Sequence, residues 1–270
     1  MRMLRLEWRW ASLRNGFLDA TAYRIEFLIE VLSSAVVPVM TQVVLAYAIF
    51  KVSGTVDPNK SIGGLHYADF IQYALASLLF SQIRGGDHDF ELAEMIRTGG
   101  LSNYMLRPVS VVEFIWLRGI APKLFLAGIC LMLGGTVGYF FGLQPARMFG
   151  AMLMALLGNI IHYQISAALA SVAFYWEEAF TVLMVKNMVV SLLSGELIYL
   201  GVFPSSWQWV WKMTPFYLYV YGPVQYALGK WTHAEFLQQL GVSCVWLVIG
   251  WCLIRLSWGV GQKRYLSLGG

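Results

Sequence analysis

The chain has 270 residues, of which 58% are hydrophobic and only 13% charged, with a formal net charge of +4. A water-soluble domain carries about twice that charged fraction, and with no block of like charges nothing points to nucleic acid as a partner. Aromatic residues make up 15%, including 11 Trp and 14 Tyr, rings that collect where lipid meets water. Cys130, Cys244 and Cys252 all fall in apolar runs; they make neither a disulfide framework nor a zinc site and read as buried apolar side chains.

Residues 1–20 lack the unbroken apolar core and small-residue cleavage site of a signal peptide. Met3, Leu6, Trp10, Leu13 and Phe17 recur at spacings of three and four, with Arg2, Arg5, Arg9 and Ser12 on an adjacent face. That pattern predicts an interfacial helix with its arginines near anionic head groups; packing on protein is compatible with the same stripe. Six apolar stretches follow, at about 25–50, 65–83, 111–140, 148–174, 180–203 and 236–256, each near the ~20 residues a crossing helix needs. The expected fold is an all-α integral membrane protein, one transmembrane domain over residues 1–270. Residues 204–232 are apolar but broken by Pro204, Pro215 and Pro223, and read as a re-entrant outer hairpin. Its run of Trp207, Trp209, Trp211, Tyr217, Tyr219 and Tyr221 fits an interfacial belt.

With both termini on one side, fourteen of the nineteen Lys and Arg residues fall on that side, leaving Lys51, Lys60, Arg147, Lys212 and Lys230 opposite. Positive residues mark the cytoplasmic face, so both termini and the loop at 86–108 are placed there. Asp87 or Asp89 can cap a helix in that loop. Leu92, Met95 and Ile96 make an apolar patch flanked by Glu91, Glu94 and Arg97, and Gly99 with Gly100 stops the helix. Leu101, Tyr104 and Met105 make a second patch, ended before Pro108. A passive connection needs only a few residues, so this shaped surface is suited to docking a partner.

Ionisable and polar groups inside spans are functional suspects. Glu26 and Glu30, near Arg24, read as a structural ion-pair cluster. Glu196, in the outer half of the fifth span, needs a partner, which could be substrate, a proton or the backbone of the hairpin. Gln42, Tyr47, Gln72 and Tyr73 are candidates to line a pathway. Asn159 and His162 share a helix face; a hydrogen bond between helices is favoured over an acid–base or metal pair. Glu177–Glu178 reads as a solvated turn. No phosphate loop of the form G-x-x-x-x-G-K-[ST] occurs, and no metal site is expected.

The segment EMIRTGGLSNYMLRPVS resembles the cytoplasmic loop of type 2 ABC exporter permeases, in particular a bacterial subfamily with an I-R-x-G-x-L…L-L-R-P signature. The matching positions are Ile96, Arg97, Gly99, Leu101, Leu106, Arg107 and Pro108; the interfacial helix, six spans and broken outer hairpin match as topology. The resemblance implies a bacterial inner-membrane permease whose loop is a coupling helix, docking into a separate cytosolic ATPase subunit through residues 89–97. It implies a second permease protomer, identical or homologous, and ATP with Mg on the ATPase, leaving this chain without a cofactor. The expected substrate is hydrophobic or amphipathic and travels along the dimer interface within membrane lipid. An ATP-independent transporter or channel is the alternative, with a membrane-embedded enzyme a third reading.

Overall fold

The computed structural model describes residues 2–22, 24–52, 55–56, 65–85, 88–105, 109–140 and 144–267. Helices carry the fold in the order α1 (Arg2–Ala22), α2 (Arg24–Phe50), α3 (Tyr67–Arg84), α4 (His88–Arg97), α5 (Ser102–Met105), α6 (Val111–Phe140), α7 (Pro145–Ala170), α8 (Ala179–Leu193), α9 (Ser205–Met213), α10 (Tyr221–Ala227) and α11 (His233–Ser267). Lys51–Val52 and Thr55–Val56 pair as a minimal antiparallel ribbon after α2. Among the described residues, two helical stretches are long and apolar enough alone to cross a membrane, Pro145–Phe174 and His233–Tyr265; Val36–Phe50 and Ala179–Leu193 are shorter apolar helices.

α7 is the hub. It packs against α3, α4, α6, α8, α10 and α11, and it can because much of its surface is small. Gly150, Ala151, Ala155, Gly158, Ala167 and Ala170 are buried along it, and small residues let helix backbones approach closely. At Gly158 an added Cβ would stand 2.8 Å from the carbonyl oxygen of Leu218. Two apolar clusters flank the hub. One joins Phe50, Phe70, Tyr73, Met154, Tyr219 and Val224 between α2, α3, α7 and α10. The other joins Leu92, Ile96, Ile115, Leu183, Trp258 and Tyr265 between α4, α6, α8 and α11.

Three sequence expectations need correction. The fifth apolar stretch is not one helix to residue 203. α8 stops at Leu193, and Gly195 takes φ +83°, a backbone that favours glycine; a short 3-10 turn at Leu200–Val202 follows. The aromatic run at 207–221 is split as well. Trp207 and Trp209 are exposed, whereas Tyr217, Tyr219 and Tyr221 are core residues. α10 is buried along its whole length, so the segment 204–232 is part surface and part core. Cys244 and Cys252, expected to be buried, are exposed on α11, on the outside of the packed helices. The leading helix α1 packs on α6 through Ser12 and Gly16, which are buried, and Trp10 of its apolar stripe is 70% exposed.

The contact at Gly16 is tight: a Cβ there would lie 2.0 Å from the carbonyl oxygen of Arg118. Ion pairs Arg9–Glu113 (2.7 Å) and Arg118–Asp19 (3.0 Å) frame it. Gly16→Ala should destabilise the chain by about 1–3 kcal/mol, because backbone cannot yield as a flexible side chain would. Gly128→Ala on α6, where the new Cβ meets nothing within 4 Å, should be neutral or stabilise by up to about 1 kcal/mol. Thermal melts of the two variants in detergent check the pair.

Candidate functional site

The polar residues of the bundle converge on two buried ion pairs, one holding α4 and the other holding the turn after α8. Asp89 does not cap α4. Its carboxylate is buried and meets the Lys186 ammonium of α8 at 2.6 Å, and Lys186 also donates to Ser166 Oγ of α7 at 2.7 Å. The helix is seated further by Leu92, Ala93 and Ile96, all buried, and by Phe90 stacked on Phe180 at 5.9 Å. Leu92 and Ile96 were expected to face a partner; they face this chain's own core instead. The reason is helical spacing: Asp89, Leu92, Ala93 and Ile96 share one face, and the buried Lys186 draws Asp89, hence that face, inward.

What α4 leaves outside is a charged edge. Glu94 and Arg97 pair at 2.9 Å with about half of each side chain exposed, and Arg97 also lies over the Phe180 ring at 5.5 Å. Met95 is half-buried. Glu91 reaches Arg118 at 3.2 Å, so α1, α4 and α6 meet through one arginine. Gly99, at φ +80°, ends the helix, and the Leu101 N–H turns back to the Met95 carbonyl at 3.0 Å. Leu101 is buried, and Ser102 hydrogen-bonds the Tyr265 hydroxyl at 2.9 Å. Leu106, Arg107 and Pro108 lie outside the described residues, as do Asp87 and the side chains of Arg24, Glu26 and Glu30.

The second ion pair joins Arg84, at the end of α3, to Glu196 at 2.6 Å, both side chains less than a tenth exposed. Gln42 donates to Ser77 Oγ at 3.1 Å and to the Glu196 carbonyl, and the Tyr73 hydroxyl donates to the Gly195 carbonyl at 2.8 Å. Gln42, Tyr73 and Glu196 therefore do come together, but as the brace of a turn and not as the wall of a passage. Tyr47 and Gln72 are exposed elsewhere, with Lys51 lying over the Tyr47 ring. The sequence placed Arg84 at the inner end and Glu196 in the outer half, yet they touch. α8 rises only about 22 Å over its 15 residues before unwinding, too short a run to carry Glu196 far from the end of α3.

Asn159 is fully engaged. It donates to the carbonyls of Ile83 and Arg84 at 2.9 and 3.3 Å and accepts from the Trp116 indole at 3.2 Å, closing the last turn of α3. His162 packs edge-on to Tyr219 at 5.3 Å instead of pairing with Asn159. Glu177 and Glu178 are exposed in the turn before α8. Among the described residues no group of three or more His, Cys, Asp or Glu could hold a metal ion. The arrangement is mechanical: it ties α4 to α7 and α8, and α8 in turn to α3. Lys186, Asp89 and Arg84 were missed as partners, although a lysine inside AFTVLMVKNMVV announces that a carboxylate must meet it.

A family model described as ABC-2 family transporter protein matches residues 36–269, from the middle of α2 through the end of α11. No curated protein and no solved structure matches the chain.

Two outcomes follow from the geometry. Arg84→Met or Glu196→Leu alone leaves a charge buried without its partner, and each should cost about 3–5 kcal/mol; the double variant should cost less than either single one. Thermal melts of the four proteins close the cycle, and strictly additive losses would show that the pair is not coupled. His88 supplies a pH test. Its Nε2 is buried, and the ring lies where a Cβ on Gly119 would go. Burial first, and then the positive charges of Lys123 and Arg118, hold its pKa down at about 3 from the usual 6.5. The folded state thus stays unprotonated while the unfolded chain takes up a proton below pH ~6.5. Stability should fall as pH drops through that window, by up to about 1.4 kcal/mol per unit. His88→Gln, whatever its stability at pH 7.5, should lose correspondingly less between pH 7.5 and 5.5 in the same melts.

Proposed function

The chain belongs to the ABC-2 transporter family, and from that premise we propose that it is the permease subunit of an ATP-driven exporter. In this reading α2, α3, α6, α7, α8 and α11 cross a bacterial inner membrane and both termini are cytoplasmic. Separate cytosolic ATPase subunits, carrying ATP and Mg, dock on α4. The observation that carries the reading is how α4 is held. A short helix on the side of the positive-rich termini is pinned from beneath by a buried ion pair and an apolar face, while Glu94, Arg97 and Thr98 remain accessible.

A second permease protomer completes the machine. The apolar side chains that α2 and α8 leave exposed support this, among them Val37, Met40 and Val44 on α2 and Met184, Val185 and Met188 on α8. Substrate moves between the two protomers, and the apolar walls suit a hydrophobic or amphipathic compound. When ATP draws the ATPases together, α4 carries the displacement into α7 and α8, and each half moves as a body between inward- and outward-facing states.

The docking contact is thus the charged outer edge of α4 and not its apolar underside. Arg97→Glu should leave the melting temperature nearly unchanged, because an exposed pair contributes about 0–1 kcal/mol. It should reduce co-purification of the ATPase and ATP-driven transport in vesicles by about tenfold or more, the effect of a reversed charge inside an interface. Leu92→Asp should instead prevent the permease from accumulating in folded form, since Leu92 is wholly buried. A stable Arg97→Glu protein with full ATPase retention and full transport would sink the proposal.

A further inference from the structure

On the flank of the bundle, where α5 and α6 face α7 and α11, lies a cavity of about 770 Å³ that is open on one side. Its size falls in the range of small-molecule sites, about 300–1,000 Å³. Three indoles line it: Trp116, Trp251 and Trp258. Two of these have spent their N–H groups on the protein, Trp116 on Asn159 at 3.2 Å and Trp258 on the Ala167 carbonyl at 2.8 Å. What those two rings offer the cavity is apolar ring surface.

The charges of the cavity do not cancel. Glu113 on its rim is already taken by Arg9 of α1 at 2.7 Å. Arg255, also on the rim, lies over the Trp251 ring at 4.7 Å, and among the described residues no carboxylate stands within ion-pair distance of it. The site therefore presents one uncompensated guanidinium above an aromatic wall. Its depth is fixed by the helix it sits on. Arg255 is 22 residues beyond His233, the first residue of α11, a rise of about 33 Å. That matches the ~30 Å of a hydrocarbon core, so the guanidinium stands at head-group level on the side of α1 and α4; Trp251, one turn before it on α11, and Trp116, bonded to Asn159 of α7, lie against the acyl region, and Trp258, three residues beyond it, closes the head-group end.

We propose that this cavity binds an anionic phospholipid, with its phosphate on Arg255 and its upper acyl chain along Trp251 and Trp116. The assignment to the cytoplasmic leaflet rests on the orientation proposed above; the binding itself does not. A guanidinium is the side chain best matched to phosphate, and a tryptophan face below it suits the glycerol and first methylenes. The site lies on the α6–α7–α11 flank, away from the exposed faces of α2 and α8, so a lipid here would wedge the moving elements from outside the transport path.

Gly259 makes a clean test possible. It lines the cavity, and a Cβ added there meets nothing within 4 Å, so Gly259→Phe can start a side chain there without a clash at its first atom, and helix propensity favours the change. Gly241, also on α11 and also open, supplies the control Gly241→Phe. The full chain in detergent, together with whatever subunits co-purify, would be titrated with phosphatidylglycerol and with phosphatidylcholine, and bound lipid counted by native mass spectrometry. Phosphatidylglycerol should bind about tenfold or more tightly than phosphatidylcholine. Arg255→Gln should bring it down to the level of phosphatidylcholine, Gly259→Phe should weaken both lipids, and Gly241→Phe should change neither. Millimolar inorganic phosphate should not displace the lipid. Equal binding of the two lipids, or phosphatidylglycerol binding untouched by both cavity variants, overturns the proposal; full displacement by inorganic phosphate rejects a lipid in favour of a free anion. None of these readings involves the ATPase, so loss or retention of docking in Arg97→Glu is scored separately.

Discussion

The fold depends on cancelling charge where water is scarce. Lys186–Asp89 and Arg84–Glu196 each bring opposite charges to 2.6 Å with under a tenth of either side chain exposed. Moving a single such ion out of water costs several kcal/mol even after relaxation, so neither member of a pair could occupy its position alone. Each pair also dictates a geometry. Asp89 fixes which face of α4 turns inward, and Glu196 fixes where the chain lies after α8 unwinds.

Around these pairs the bundle is assembled by close approach and not by size. Gly16 lets α1 rest against the backbone of α6, and Gly158 lets the segment before α10 rest against α7. Around Gly195 the space is filled by rings: Tyr73 meets Tyr199 edge-on at 4.8 Å, and Tyr217 lies the same distance from Tyr221. Within an apolar solvent there is little hydrophobic drive to bring helices together, and packing with interhelical hydrogen bonds must do it instead. Trp116, Tyr163 and Trp258 all donate to groups on another helix, which fits that requirement.

Much of the architecture was legible because long apolar helices leave a long apolar signal. The stretch 111–140 is α6 to the residue, and the stretch at 148–174 is α7 with its 3-10 extension. The loop helix was legible too, from Asp89 to Arg97 and the Gly99 stop. What periodicity could not supply was direction. Leu92 and Ile96 form the same apolar stripe whether it meets a partner or this chain's own core, and only the position of Lys186, 97 residues away from Asp89, decides between them. The break after Leu193 was hidden for a related reason: Leu197, Ile198, Leu200 and Val202 keep the stretch apolar, so composition reads straight through a backbone turn set by Gly195. Likewise Tyr217, Tyr219 and Tyr221 look like a belt because a tyrosine's place, in the core or at the interface, depends on neighbours that sequence does not show.

These features also say which parts can move together. α4 is joined to α7 and α8 by a buried ion pair, a buried apolar face and a stacked ring pair, and separating it would expose both charges. α8 is short and ends in a glycine turn whose carbonyls are held by Gln42 and Tyr73 and whose carboxylate is held by Arg84. That turn therefore links the end of α8 to α2 through Gln42 and to α3 through Tyr73 and Arg84. A buried carboxylate there serves better than an apolar residue of the same volume. An apolar side chain of that volume would pack without a directional partner, whereas the ion pair with Arg84 ties the turn to one place at the end of α3.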